Sequence, residues 1–130
     1  MSTIIVDASV MAKWLLPERG TPEARALLAG GGRFLAPDLA RAEVANVLRK
    51  RVSRREIDPE DAIGALRVLD AAGVEFASSV ALVEPALRIA LAHTVSVFDA
   101  LYLALAAQRG AALVSADERL YRATRAGRFS

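Results

Sequence analysis

Four carboxylates occupy chain reversals or apolar surroundings, and as a set they describe a site for a hard cation. Asp7 ends the β-branched run Thr3-Ile4-Ile5-Val6, and Asp117 lies two residues past the short run Ala112 to Ser115. Glu43 has Leu39 and Val47 four residues to either side, which puts it on the apolar stripe of a helical stretch. Charges avoid such positions unless they are paired or liganded. Asp99 opens an apolar stretch in the pattern Ser96-x-x-Asp99. Each acid taken alone also has a structural role open to it: a helix cap for Asp7 and Asp117, a salt bridge to a buried arginine for Glu43, a capping box for Asp99. Taken together, bare carboxylates repel by about 4 kcal/mol per pair at 4 Å and an effective dielectric of 20, so a cation among them is called for. An all-oxygen donor set suits Mg²⁺ or Mn²⁺, held by one or two carboxylates, several waters and substrate phosphate oxygens. The chemistry implied is hydrolysis of a phosphodiester by an activated water, with no protein nucleophile.

Composition closes off the rival chemistries. Cysteine is absent and His93 is the only histidine, which excludes thiol nucleophiles, disulfide frameworks, zinc ribbons and any mechanism using two imidazoles. A haloacid-dehalogenase phosphatase needs a second acid two residues after the first, where Ser9 stands. A receiver domain needs a late lysine, but Lys13 and Lys50 are the only lysines. The remaining 15 of the 17 cations are arginine, a mild lean towards an anionic partner that GC-rich coding would also produce, against a formal net charge of +2. At 130 residues and 54% hydrophobic content the chain suits one domain, 1–130, with a core that needs no staple. No secretory signal or membrane span is legible in it, since Asp7, Arg88 and Asp99 interrupt the apolar stretches; a soluble, cytoplasmic protein is expected.

The elements that must position the acids alternate along the chain. Strands are predicted over Thr3–Asp7, Phe34–Ala36, Val74–Phe76 and Ala112–Ser115. Helices are predicted from about Ser9 to Leu16, from Thr21 to Gly30, from Leu39 to Val52, from Asp58 to Gly73, from Leu82 to His93, from Ser96 to Arg109 and from Asp117 to Ala126. Short strands separated by helices give an α/β fold, a parallel sheet with helices on both faces. Ligands of such sheets bind beyond the carboxyl ends of the strands, where Asp7 and Asp117 fall.

These residues resemble a known family. Ile4-Ile5-Val6-Asp7-Ala8-Ser9-Val10 with Lys13-Trp14-Leu15-Leu16-Pro17-Glu18, then Pro37-Asp38-Leu39 leading to Glu43-Val44-Ala45-Asn46-Val47-Leu48, are similar to the first two motifs of PIN-domain proteins. Val97-Phe98-Asp99-Ala100-Leu101-Tyr102-Leu103-Ala104-Leu105-Ala106 resembles the third, with phenylalanine where tyrosine is common. Ser115-Ala116-Asp117-Glu118-Arg119-Leu120 resembles the fourth, with serine where threonine is common. Four motifs in order, spanning essentially the whole chain, look like a VapC-type toxin ribonuclease. The resemblance implies a three-layer PIN-like fold with a central parallel sheet of four or five strands. It implies a metal-dependent endoribonuclease whose Asp7, Glu43, Asp99 and Asp117 hold Mg²⁺ or Mn²⁺, with Ser9, Asn46 and Ser115 orienting ligands or waters. A homodimer, a small VapB-like antitoxin that blocks the site, and a structured RNA substrate such as a tRNA or an rRNA loop are implied as well. The alternatives are a catalytically silent RNA-binding PIN domain and a metal-dependent nuclease acting on DNA.

The basic run Arg49, Lys50, Arg51, Arg54, Arg55 is a candidate grip on RNA phosphates, or a solvated helix end that complements the dipole. Arg119, Arg122, Arg125 and Arg128 form a second basic stripe. Trp14 and Tyr102 lie on apolar helical patterns and are expected to serve packing, and His93 ends a helix with no catalytic role expected.

Overall fold

The computed structural model describes residues 2–117. Four short strands, β1 (Thr3–Val6), β2 (Arg33–Pro37), β3 (Glu75–Ala77) and β4 (Ala112–Val114), form one parallel sheet in the order β3-β2-β1-β4. The six helices of this region are α1 (Ala8–Leu15), α2 (Thr21–Ala29), α3 (Leu39–Ser53), α4 (Pro59–Ala71), α5 (Val83–His93) and α6 (Val97–Arg109). The α/β architecture is as expected, with four strands among the described residues. Of the helix expected over Asp117–Ala126 only Asp117 falls within them, and the arginines from Arg119 to Arg128 lie outside.

Burial follows from the apolar runs. Ile5 and Val6 are fully buried although consecutive strand residues face opposite sides, so both faces of the central strand are covered. Phe34 to Pro37 of β2 are buried throughout for the same reason. On one face α6 packs across β1, β2 and β4, and its unbroken buried run Ala100 to Leu105 reflects a helix apolar nearly all round. α1 packs against α2 and α3, with Met11, Val44 and Leu48 in its share of the core. α6 ends at Gly110, whose φ of +58° is the left-handed conformation a helix stop commonly takes.

The register fixes what stands at the sheet's carboxyl edge. Val6 pairs with Val114, so Asp7 and Ser115 emerge side by side, and the Asp7 amide donates to the Val114 carbonyl at 3.4 Å. α3 begins two residues after β2 ends, which carries Glu43 to the same edge one turn into its helix. Among the described residues no single helix is long and apolar enough to cross a membrane.

Candidate active site

Asp7 is the most buried acid of the set, 4% exposed, and it is held from three directions. As N-cap of α1 it accepts the Val10 amide at 3.2 Å; the Ser9 hydroxyl donates to Oδ1 at 2.5 Å, and the Ser115 hydroxyl donates to Oδ2. The cap role and a site role are therefore compatible: one oxygen turns the chain into α1 while both stay fixed by neutral donors. The Ala116 amide donates to Ser9 Oγ at 3.0 Å and the Asp117 amide to Ser115 Oγ at 2.9 Å, so the backbone of Asp117 is laced into the same hydroxyl pair. Burial pushes the Asp7 carboxyl above the usual carboxylate range, opposed by those three hydrogen bonds and reinforced by the charge of Asp117.

Glu43 is half-buried, and among the described residues its partner is a tyrosine and not a buried arginine. The Tyr102 hydroxyl donates to Glu43 Oε1 at 2.6 Å. Burial raises the Glu43 carboxyl, the Tyr102 hydrogen bond opposes the rise, and the charges of Asp7 and Asp99 add to it. Asp99 sits in the first turn of α6, where its amide donates to Ser96 Oγ at 3.0 Å, and it precedes Tyr102 by three residues on one helix face. Electrostatic coupling thus joins Asp7 to Asp117, and Glu43 to both Asp7 and Asp99.

The donor chemistry fits a hard divalent cation, and the spread of the acids says how. Among the described residues no three acidic or imidazole groups lie close enough to ligate one ion together. That suits an ion carried by one or two carboxylates with water completing its shell, the usual habit of Mg²⁺. The neutral donors on Asp7 and Glu43 fix oxygen positions without cancelling their charge.

Two supporting expectations divide. Ser9 and Ser115 meet at Asp7, whereas Asn46 is exposed and its Oδ1 accepts Arg49 Nε at 3.1 Å, the solvent-facing alternative. The basic run divides too. Arg51 is committed to Glu18 and, at 3.1 Å, to Glu56, with its side chain only 20% exposed, so it is a strut between the α1–α2 loop and α3. Arg49, Lys50, Arg54 and Arg55 remain exposed. Arg49 lies six residues beyond Glu43, roughly 9 Å along α3.

Tyr102 packs as its apolar helical pattern predicts, and it does more. Its ring is 3% exposed, its hydroxyl holds Glu43, and burial followed by that hydrogen bond raises the phenol well above its ordinary value. Its spacing of three from Asp99 was the available signal. Tyr102→Phe keeps the ring and removes only the hydroxyl, so the melting temperature is expected to move by the equivalent of about 1 kcal/mol. Cleavage at limiting metal is expected to fall roughly 10–100-fold, as for other groups that orient a ligand. Parallel thermal melts and metal titrations of activity check both.

Comparison with known proteins agrees with this arrangement. The PIN-domain family profile matches residues 4–126. The chain is 32% identical over 119 residues to Ribonuclease VapC3 of Pyrobaculum aerophilum, covering 90% of this chain and 91% of that one. VapC20 of Mycobacterium tuberculosis, a sarcin-ricin loop cleaving toxin, superposes with a TM-score of 0.76 at 20% identity over 92% of this chain and 94% of its own. PAE2754 of Pyrobaculum aerophilum superposes with a TM-score of 0.72 at 21% identity over 94% and 86%. A parallel sheet in this order, an aspartate at the end of its first strand and a family match across the chain lead to one assignment: the protein belongs to the PIN-domain family, among its VapC-type members.

Proposed function

We propose that this protein is the toxin of a toxin–antitoxin pair, a metal-dependent endoribonuclease that hydrolyses RNA phosphodiester bonds. The observation that carries the reading is the buried Asp7 carboxylate at the sheet edge, fixed by neutral donors and lying in the field of Asp117 and Glu43. A bound Mg²⁺ or Mn²⁺ would activate a water and stabilise the leaving oxygen. Of Asp7, Glu43, Asp99 and Asp117, one or two would ligate it directly and the others would act through its waters. Ser9 and Ser115 set the Asp7 oxygens, and Tyr102 sets Glu43. The exposed Arg49, Lys50, Arg54 and Arg55 supply phosphate contacts for an RNA lying along α3, with Arg51 left in its strut. The likeness to VapC3 and to VapC20 supports a structured RNA substrate, a tRNA or an rRNA loop, and a VapB-like antitoxin as inhibitor. Residues 1–130 act as a single cytoplasmic PIN domain, as a homodimer.

Purified protein incubated with total cellular RNA is expected to yield discrete fragments with Mg²⁺ or Mn²⁺ and none with chelator. Asp99→Asn run in parallel is expected to yield none. Fragments that persist in chelator, or in the variant, contradict the reading.

A further inference from the structure

Between α1, α2 and the end of β4 the described residues line an open cavity of about 530 Å³, within the roughly 300–1,000 Å³ usual for small-molecule sites. Its floor is aliphatic, from Val10, Leu27 and Val114. It adjoins the candidate centre without belonging to it. Val10 and Ser115 both line the cavity, and the Val10 amide and the Ser115 hydroxyl are two of the three groups that hold Asp7. A molecule in the cavity therefore lies just across these two residues from the Asp7 carboxylate.

Two side chains at the cavity carry recognition chemistry that the metal site does not use. Lys13 is held in place: its ammonium donates to Glu18 Oε1 at 3.0 Å and to the Arg19 carbonyl at 2.6 Å. Gly20, at a φ of +91°, makes room for the lysine stem, since a Cβ there would stand 3.3 Å from Lys13 Cδ and Cε. An ammonium has three donors, so one N–H is left over. Glu23, in the first turn of α2, lines the same cavity; it is exposed and makes no ion pair among the described residues.

We propose that this cavity receives a guanine of the RNA substrate, Lys13 donating to O6 or N7 and Glu23 accepting from N1–H and N2–H₂. The proposal rests on the ribonuclease reading for its RNA and adds the base that is read. Donor pattern selects the base. Guanine alone offers two adjacent N–H groups on its Watson–Crick edge, matching the two oxygens of one carboxylate, and its O6 and N7 are acceptors for the lysine. Adenine and cytosine bring one amino group to that edge and uracil one ring N–H, so each leaves a carboxylate oxygen unmatched. The aliphatic floor suits the flat face of a base, and Ser115 at the cavity wall leads its phosphate towards Asp7.

Calorimetric binding of mononucleotides in chelator tests the cavity. Guanosine monophosphate is expected to bind roughly tenfold or more tightly than its adenosine, cytidine and uridine counterparts, as hydrogen bonds to a charged acceptor allow. Inosine monophosphate, which lacks the N2 amino group, is expected in between. Glu23→Gln is expected to bring the guanosine nucleotide down to the level of the others with an unchanged melting temperature. Lys13→Met, in which Arg51 still holds Glu18, is expected to weaken it as well. In digests of total RNA, wild-type cuts are expected to share a guanine at one fixed position beside the broken bond, and the cuts of Glu23→Gln to lose it. No binding at millimolar nucleotide, equal binding of all four bases, or guanosine binding that Glu23→Gln leaves intact overturns the proposal. Binding is read where nothing is cut, so it reports on the cavity while cleavage reports on the ribonuclease reading, and either can fail alone.

Discussion

Asp7→Asn is expected to abolish RNA cleavage and, in the same molecule, to raise the melting temperature measured in chelator at neutral pH. The first effect follows from removing charge where a cation would be held: such an ion contributes several kcal/mol of transition-state stabilisation, so the rate falls on the order of 10³-fold. The second follows from burial. Asp7 is 4% exposed and its carboxyl is raised, principally by burial, with the charge of Asp117 adding to it. A carboxyl whose folded pKa exceeds its unfolded value favours folding in its protonated form. That contribution is fully present below the unfolded pKa and is lost as pH rises through the folded one. At neutral pH the metal-free wild type therefore carries a destabilising charge, and Glu43, raised by burial as well, acts in the same direction. The amide of Asp7→Asn is neutral and can keep its one oxygen where Oδ1 accepts from the Val10 amide and the Ser9 hydroxyl, while the Ser115 hydroxyl can rotate to accept from the NH₂ in place of Oδ2. Melts of both proteins from pH 4 to 8 are expected to converge at the acid end and separate towards neutrality. Metal at a hundredfold over its Kd is expected to add about 2.7 kcal/mol to the wild type and little to the variant, reversing their order. A variant less stable than the wild type in chelator contradicts the account.

The sequence carried the outline of this site further than its detail. Asp7 was legible because a charge directly after a β-branched run has to leave the sheet at its end, and Glu43 because a carboxylate between Leu39 and Val47 is out of place on an apolar stripe. The reason Glu43 is tolerated there was not legible. It depends on α3 and α6 meeting, with Tyr102 reaching a residue 59 positions away. Helical spacing says that an aromatic ring is buried without saying where its hydroxyl tip lands. Arg51 shows the same limit from the other side: in a run of five cations, only the fold of the α1–α2 loop singles out the one that meets Glu18. Strand order was equally out of reach, because periodicity marks a buried strand without naming its neighbours. The pairing of β1 with β4 is nevertheless what sets Ser115 against Asp7.

The site also leans on a packing feature well away from the acids, and disturbing it gives the largest expected loss of stability. Trp14 is 6% exposed on α1, its indole N–H donates to the Ala24 carbonyl at 2.7 Å, and its ring meets Phe34 of β2 edge-on at 5.4 Å. One side chain thus ties α1, the helix that Asp7 caps, to both α2 and the sheet. Trp14→Ala removes the ring and leaves the Ala24 carbonyl without its partner, an expected cost of about 3–5 kcal/mol. Set against the roughly 5–15 kcal/mol by which domains of this kind are folded, that is between about a fifth of the total and all of it. Trp14→Phe keeps most of the ring and loses the donor, so about 1–3 kcal/mol is expected. Denaturant melts rank the two variants. Cleavage per folded molecule then separates support of the fold from support of the site: Trp14→Phe, with α1 still docked, is expected to cut RNA at close to the wild-type rate once corrected for folded fraction. A large rate loss in Trp14→Phe at full folding would instead mean that the Asp7 oxygens are positioned through α1 as a whole, and not chiefly by the hydroxyls of Ser9 and Ser115.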